Sequence, residues 1–375
     1  MSPKKNNKKY GMVLGIIVSM AFAVVVAFDH SPSGTTKAHD NGGQAQQKAY
    51  TRQDVYYNGD YYNELEGLDN LLNGKYSDKD IKEGLRALIG YQSATTYVEG
   101  FGKNITGTDE KHPRYKGVRE GSLAYVWQES ERMENDQERQ GNFRLFYSNV
   151  YGTTLDDYST TVNREHVWPQ SLSGGFFGTS GAGADGHHIR PANAKLNGAR
   201  SNKKYGDLKN NEIEYTYFAT DGAKSFNCLY DYFDESYVNN NYRGHITGYS
   251  TEDVFEPRDD YKGDIARIIA YMALHYEQLE NIVDNVMVGG YDTIVEWNRL
   301  DPVDEYEINR NNVIAEFQGN RNPFIDAPGL VDILYADDVD VLASNSSNNL
   351  IHNPVINSLY NLYAFIDCKR FVAFK

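Results

Sequence analysis

The residues best suited to chemistry lie between Asn163 and Gly206. Glu165 and His166 stand side by side in the run Asn163-Arg164-Glu165-His166-Val167-Trp168-Pro169. A glycine-rich loop follows, with six Gly from Ser173 to Gly186, and three of the nine histidines fall within 23 residues. Asp185-Gly186-His187-His188-Ile189-Arg190-Pro191 comes next, then a short segment ending in Arg200-Ser201-Asn202. One carboxylate and one amide oxygen can seat a hard divalent cation while leaving most of its shell to water and phosphate. A neutral histidine beside that cation takes a proton from water near neutral pH. Nearby cations stabilise the charge that builds on a phosphorus centre under attack. Glu165, His166, Asn197 and Arg200 supply these parts in chain order, and the chemistry they suit is hydrolysis of a phosphate ester.

These groups need elements to hold them. Pro suits a first helical turn, so the spacing predicts a short helix after Pro191. In that geometry Asn193, Asn197, Arg200 and Lys204 form one polar face, with Leu196 and Ala199 turned elsewhere. From Gly186 to Gly206 there are five Lys or Arg and no Asp or Glu. In an acidic chain such a window is a place for a phosphate, although a solvated basic helix face has the same composition. No single piece is specific. The glycine loop lacks the Gly-Lys-Ser/Thr ending that cradles a nucleotide, and the absence of His-Glu-x-x-His argues against a common zinc-protease class.

Elsewhere the pattern is that of core faces. Ser77 and Asp80 mark a helix start, with Ile81, Leu85, Leu88 and Ile89 at helical spacing before Gly90. Ile265, Ile268, Ile269, Met272, Tyr276 and Leu279 read as one longer helix. Tyr306, Val313, Ile314 and Phe317 read as another, closing at Gly319. No repeat of solenoid period is present.

With 375 residues, 40% of them hydrophobic, the chain can bury a sizeable core, and its net charge of −15 rules out one broad basic surface. Two cysteines, Cys228 and Cys368, exclude a Cys-rich metal site. Lys4, Lys5, Lys8 and Lys9 precede an apolar run of 18 residues from Gly11 to Phe28. That is the pattern of an export signal cleaved after Ala27, or of an anchor if it stays uncleaved, with a buried core helix as the third reading. The expected organisation is a leader at 1–28, a polar linker at 29–53, a catalytic domain at 54–328 and an appendage of unassigned role at 329–375. The leader places the domain outside the cytoplasm, secreted or tethered to the outer face of the membrane.

The Asn163–Ser171 run, the Asp185-x-His187-His188-Ile189-Arg190-Pro191 run, Asn197 and the Arg200-Ser201-Asn202 turn together resemble the bacterial endonuclease I family of exported nucleases. The likeness extends to Tyr61-Tyr62 with Glu66-Gly67-Leu68, to Phe255-Glu256-Pro257-Arg258 with Lys262–Arg267, and to Trp297, Asp301–Asp304 and Gln318–Asp326. It covers about Tyr50 to Pro328 in order.

The resemblance implies an α+β fold, mostly helical, with an embedded ββα-metal (His-Me) finger. It implies His166 as general base, Glu165 and Asn197 as ligands of Mg2+ (with Mn2+ or Ca2+ able to substitute in binding), and Arg200 or Arg190 on the phosphate. Lys203 and Lys204 join Arg190 as candidate phosphate-binding cations. Asp185, His187, His188 and Asn163 are expected to be structural at the site. The implied activity is sequence-nonspecific endonucleolytic cleavage of DNA, and of RNA as a further substrate. It leaves 5′-phosphate and 3′-hydroxyl ends, with substrate held through its backbone by a monomer that needs no small-molecule cofactor. The alternatives are a catalytically weak extracellular nucleic-acid-binding protein and a hydrolase of small phosphodiesters. The family usually has Leu or Met where this chain has Gly186, which predicts looser packing there.

Overall fold

The computed structural model describes residues 54–336 apart from 58, 91–94, 107–121, 136–142, 149, 153–161, 221–225, 231–234 and 243. The expected leader and linker, Cys368 and everything from 337 onward lie outside the described residues. Helices α1 (Leu68–Leu72) and α2 (Asp78–Ile89) come first. The Ser77 hydroxyl accepts from the Asp80 N–H and so satisfies a donor that the helix itself leaves orphaned. The four apolar residues expected on the inner face of α2 are buried. Hairpin β1 (Thr95–Val98)–β2 (Lys103–Thr106), helix α3 (Ser122–Met133) and the pair β3 (Phe143–Leu145)–β4 (Val150–Gly152) follow.

The chemical stretch forms an antiparallel strand pair and a helix. β5 (Val162–His166) pairs with β6 (Ile189–Asn193), with His166 opposite Ile189 and Val162 opposite Asn193, and α4 (Ala194–Arg200) continues directly from β6. Pro191 lies inside β6, opposite Arg164, and not in a first helical turn. Asn193 is the N-cap, accepting from the Lys195 and Leu196 N–H groups. The helix ends at Arg200 because Ser201 turns to φ +54. Lys204 therefore leaves the helix and falls in β7 (Lys204–Tyr205), so the polar face expected to run from Asn193 to Lys204 does not form.

A five-stranded sheet comes next, in the order β7-β11-β10-β8-β9, built from β8 (Tyr215–Thr220), β9 (Phe226–Tyr230), β10 (Gly244–Ser250) and β11 (Val254–Pro257). It is antiparallel except where β7 meets β11, and α5 (Glu235–Tyr242) packs on β10. The fold is mixed helix and sheet, as expected, but this sheet goes beyond the small hairpin foreseen. Cys228 lies on β9.

Helix α6 (Lys262–His275) is buried from Lys262 to Leu274 and forms the centre of the core. The stripe expected to continue to Leu279 breaks at Tyr276, which adopts extended backbone, and α7 (Glu277–Glu280) restarts it. α8 (Gly290–Leu300) packs on α6. α9 (Glu305–Phe317) opens on a capping box between Asp304 and Glu307 and buries Ile314 and Phe317, as its spacing predicts. α10 (Pro323–Asp326) and α11 (Gly329–Tyr335) complete the described chain. Leu330 and Val331 of α11 are fully buried, and the helix packs on α8. Residues 329–335 thus pack against the helices that precede them. Among the described residues no helix is long and apolar enough to cross a membrane.

Candidate active site

β5 and α4 bring Glu165, His166, Asn197 and Arg200 to one cleft of about 510 Å³. His166, Glu165 and Asn197 are each held by partners that leave one atom for chemistry. His166 Nε2 lies 3.1 Å from the carbonyl oxygen of Gly183. A carbonyl only accepts, so Nε2 carries the proton and Nδ1, which has no hydrogen bond among the described residues, carries the lone pair. Burial, reinforced by Arg164 and Arg200, lowers the His166 pKa to about 4, so the ring is neutral at physiological pH.

Glu165 is buried, with its hydrogen bonds concentrated on Oε1. Tyr147 Oη donates to that atom at 2.6 Å, Arg200 Nη1 is 3.3 Å away and Tyr205 Oη 3.5 Å away. Among the described residues no donor reaches Oε2. Burial raises the carboxyl above its ordinary range, against the pull of Arg200. Asn197 Nδ2 donates to Asn163 Oδ1 at 2.7 Å and to the Arg164 carbonyl at 2.9 Å. That backbone acceptor fixes the amide orientation and leaves Oδ1 without a partner among the described residues. Two hard oxygens, Glu165 Oε2 and Asn197 Oδ1, are therefore free at one cleft, and they fit a hard divalent cation that draws its remaining ligands from water and substrate. No cluster of three His, Cys, Asp or Glu suited to a metal occurs among the described residues.

A family model for endonuclease I matches residues 77–329. The chain belongs to the endonuclease I family. It is 35% identical to the extracellular ribonuclease of Bacillus subtilis (strain 168) over 267 residues, 65% of this chain and 80% of that protein. It is 33% identical to the extracellular ribonuclease of Bacillus amyloliquefaciens over 64% of this chain and 78% of the relative. A shorter match, 25% identical over 38% of this chain and 48% of the relative, is to the extracellular deoxyribonuclease of Aeromonas hydrophila.

In this endonuclease I chain the remaining sequence-predicted residues fall into three groups. Asp185, His187 and His188 are buried supports. Asp185 accepts from the His187 N–H, Gln318 Nε2, Tyr271 Oη and Tyr276 Oη, all within 2.9 Å. His188 Nε2 lies 2.7 Å from the Ala182 carbonyl, and the ring stacks edge-on to His166 at 5.3 Å. Burial lowers both His187 and His188 to about 3, so they pack as neutral rings.

Arg200 is in the cleft, but its guanidinium is engaged by Glu165, by the Val167 carbonyl at 2.8 Å and by the Ser201 carbonyl at 3.0 Å. Arg190, Lys203 and Lys204 do not line the cleft. Arg190 is buried between Glu134 at 2.8 Å, Asp264 at 3.5 Å and the face of Phe146, so its charge faces acids of its own chain and not a phosphate. Lys203 Nζ donates to the Ala199 carbonyl and Lys204 Nζ to that of Asp284.

The cleft adds Arg164, Gln170, Ser171, Ser201 and Asn202 to the candidates. Arg164 is the notable omission. It stands beside Glu165 in the Asn163–Pro169 run, so adjacency is its signal in the sequence, whereas a count of charges points to Arg190, Lys203 and Lys204.

Gly186 also has a physical explanation. A Cβ there would lie 3.0 Å from the Phe317 ring and 3.2 Å from Gln318 Oε1, which accepts the Gly186 N–H. Phe317 occupies the space a larger side chain would fill, so the expected looseness does not arise. Gly186→Leu is expected to lower stability by about 1–3 kcal/mol through overpacking. Thermal unfolding followed by circular dichroism checks this, and an unchanged or raised Tm would contradict it.

Proposed function

We propose that the chain is an exported endonuclease that hydrolyses the phosphodiester bonds of both DNA and RNA without sequence preference, using one divalent cation held by Glu165 and Asn197 in a His-Me-type finger. The observation that carries this reading is the meeting, in one cleft, of two unpartnered oxygens with a neutral imidazole whose free nitrogen is Nδ1.

His166 Nδ1 takes a proton from the water that attacks phosphorus, and the Gly183 carbonyl keeps the ring in the tautomer able to do so. A bound magnesium ion would supply Lewis-acid stabilisation of the phosphate and of the departing 3′ oxygen. Glu165 is pinned by Tyr147 and Arg200, and Asn197 by Asn163 and the Arg164 carbonyl, so both ligands are pre-set and need no rearrangement. Arg164 and Arg200 set two cations against one carboxylate in the cleft lining, which favours a polyanion there despite the acidic chain. Substrate is gripped through backbone phosphates, so base sequence matters little and affinity falls with salt.

The nucleophile is water and not a ribose 2′-hydroxyl, so the chemistry is indifferent to the sugar. This accords with relatives named for each nucleic acid. Export is supported by their extracellular names and by the apolar leader. The products are 5′-phosphate and 3′-hydroxyl ends.

Incubating the protein with plasmid DNA and with RNA tests this directly. Both should be cut, EDTA should stop cleavage, and Mg2+ or Mn2+ should restore it where Zn2+ alone does not. Binding without cleavage, or cleavage that persists in EDTA, would overturn the reading.

A further inference from the structure

Tyr147 has a conformation and a partner that packing alone does not explain. It is fully buried and stands at φ +70, in the left-handed region that bulky L residues rarely adopt. Its ring packs against Phe146, Phe255 and Tyr261, with centroids 4.4, 5.4 and 6.3 Å away. Its hydroxyl meets Glu165 Oε1 at 2.6 Å and the Tyr205 hydroxyl at 2.6 Å. Strain of this kind persists where the surrounding structure enforces it, and an observed outlier at a site is a pointer to function.

Proton accounting fixes the direction of these bonds. An ionised Glu165 can only accept, so Tyr147 donates to Oε1. Its single proton is then committed, and the contact with Tyr205 must be donated by Tyr205. The Val167 carbonyl, 2.9 Å from Tyr205, keeps the Arg200 Nη2 donor at 2.8 Å. Among the described residues, Tyr147 and Arg200 both load Oε1 of Glu165 and no donor reaches Oε2, while Arg200 Nε is buried without a partner.

We propose that Tyr147, backed by Tyr205, is a positioning residue that selects Oε2 of Glu165 as the one oxygen offered to the cation. The proposal rests on the reading of Glu165 as a cation ligand. Without the phenol, the carboxylate is free to turn, and the cation must order it on binding. Support of a ligand by such a partner is worth roughly ten- to a hundredfold in metal affinity.

The experiment measures Mn2+ binding by electron paramagnetic resonance, without nucleic acid, for the wild type, Tyr147→Phe, Tyr205→Phe and Glu165→Gln, with Tm for each. Tyr147→Phe keeps the ring and is expected to bind Mn2+ roughly ten- to a hundredfold more weakly. Tyr205→Phe is expected to fall between it and wild type. Wild-type Mn2+ affinity in Tyr147→Phe, with or without a lower Tm, overturns the proposal. If that variant does not fold, wild-type affinity in Tyr205→Phe overturns it equally. A wild type that binds no Mn2+, or a Glu165→Gln variant that binds as well as wild type, instead overturns the cation reading on which the proposal stands.

Discussion

His166→Ala is expected to lower kcat for plasmid cleavage by about 10²- to 10⁴-fold, the range a positioned general base contributes, while DNA binding changes little. The ring contributes no charge at neutral pH, because burial holds its pKa at about 4. Removing it therefore deletes a proton acceptor and leaves the attraction for phosphate to Arg164 and Arg200. Added imidazole should restore part of the rate by occupying the vacated space. Full activity in the variant would refute the assignment of the base.

The same group sets a pH signature. In the wild type the rate should fall as pH drops through about 4, well below the 6.5 of an unperturbed histidine. Stability sets in earlier as a limit. His166, His187, His188 and His275 are all held neutral, with pKa values of about 4, 3, 3 and 4. Between these values and 6.5 the unfolded chain binds more protons than the folded one. Their contribution is complete above pH 6.5 and is lost as pH falls toward 4, so the acid limb must be measured where circular dichroism shows the protein folded.

Glu165→Gln is expected to reduce kcat/KM by about 10²- to 10⁴-fold, the equivalent of several kcal/mol of transition-state charge stabilisation. The amide preserves shape and still offers Tyr147 and Arg200 an oxygen, so what disappears is the charge that would hold the cation. Arg200 is buried and loses its counter-ion, so Tm should fall as well. Kinetics read at a temperature where the variant is folded separate the two effects. If kcat/KM stays near wild type, with saturating Mg2+ or without it, Glu165 is not a ligand.

The parts of this molecule legible in the sequence are those with local causes. The Ser77 cap and the inner face of α2, the body of α9, and the convergence of Glu165, His166, Asn197 and Arg200 on one cleft all follow from spacing within a few turns or one strand pair. What stayed hidden depends on distant partners. Arg190 reads as a free cation until Glu134 and Asp264 arrive from 56 and 74 residues away. Tyr147 carries no motif, and its contact exists only because a left-handed backbone in the turn after β3 sets its hydroxyl against a carboxylate on β5. The sheet from β7 to β11 shows no helical stripe; its signature is the aromatic and β-branched composition of Tyr215-Thr216-Tyr217-Phe218, a weaker signal that depends on neighbouring strands. Pro191 suggested a helix start, whereas a strand accommodates it here with its carbonyl taken by the Phe146 N–H.

Arg310 on α9 donates to the Gly186, His187 and Ile189 carbonyls, and Gln318 clasps Gly186 and Asp185. The strand that completes the cleft is thus tied down by residues more than a hundred positions farther along the chain. A nascent polypeptide that has left the ribosome only as far as α4 carries every reactive group yet lacks the clasp that sets them in place. Synthesis order alone therefore sets when the cleft is completed: until α9 has joined the fold, the reactive side chains lack the contacts that hold Gly186, His187 and Ile189 in place.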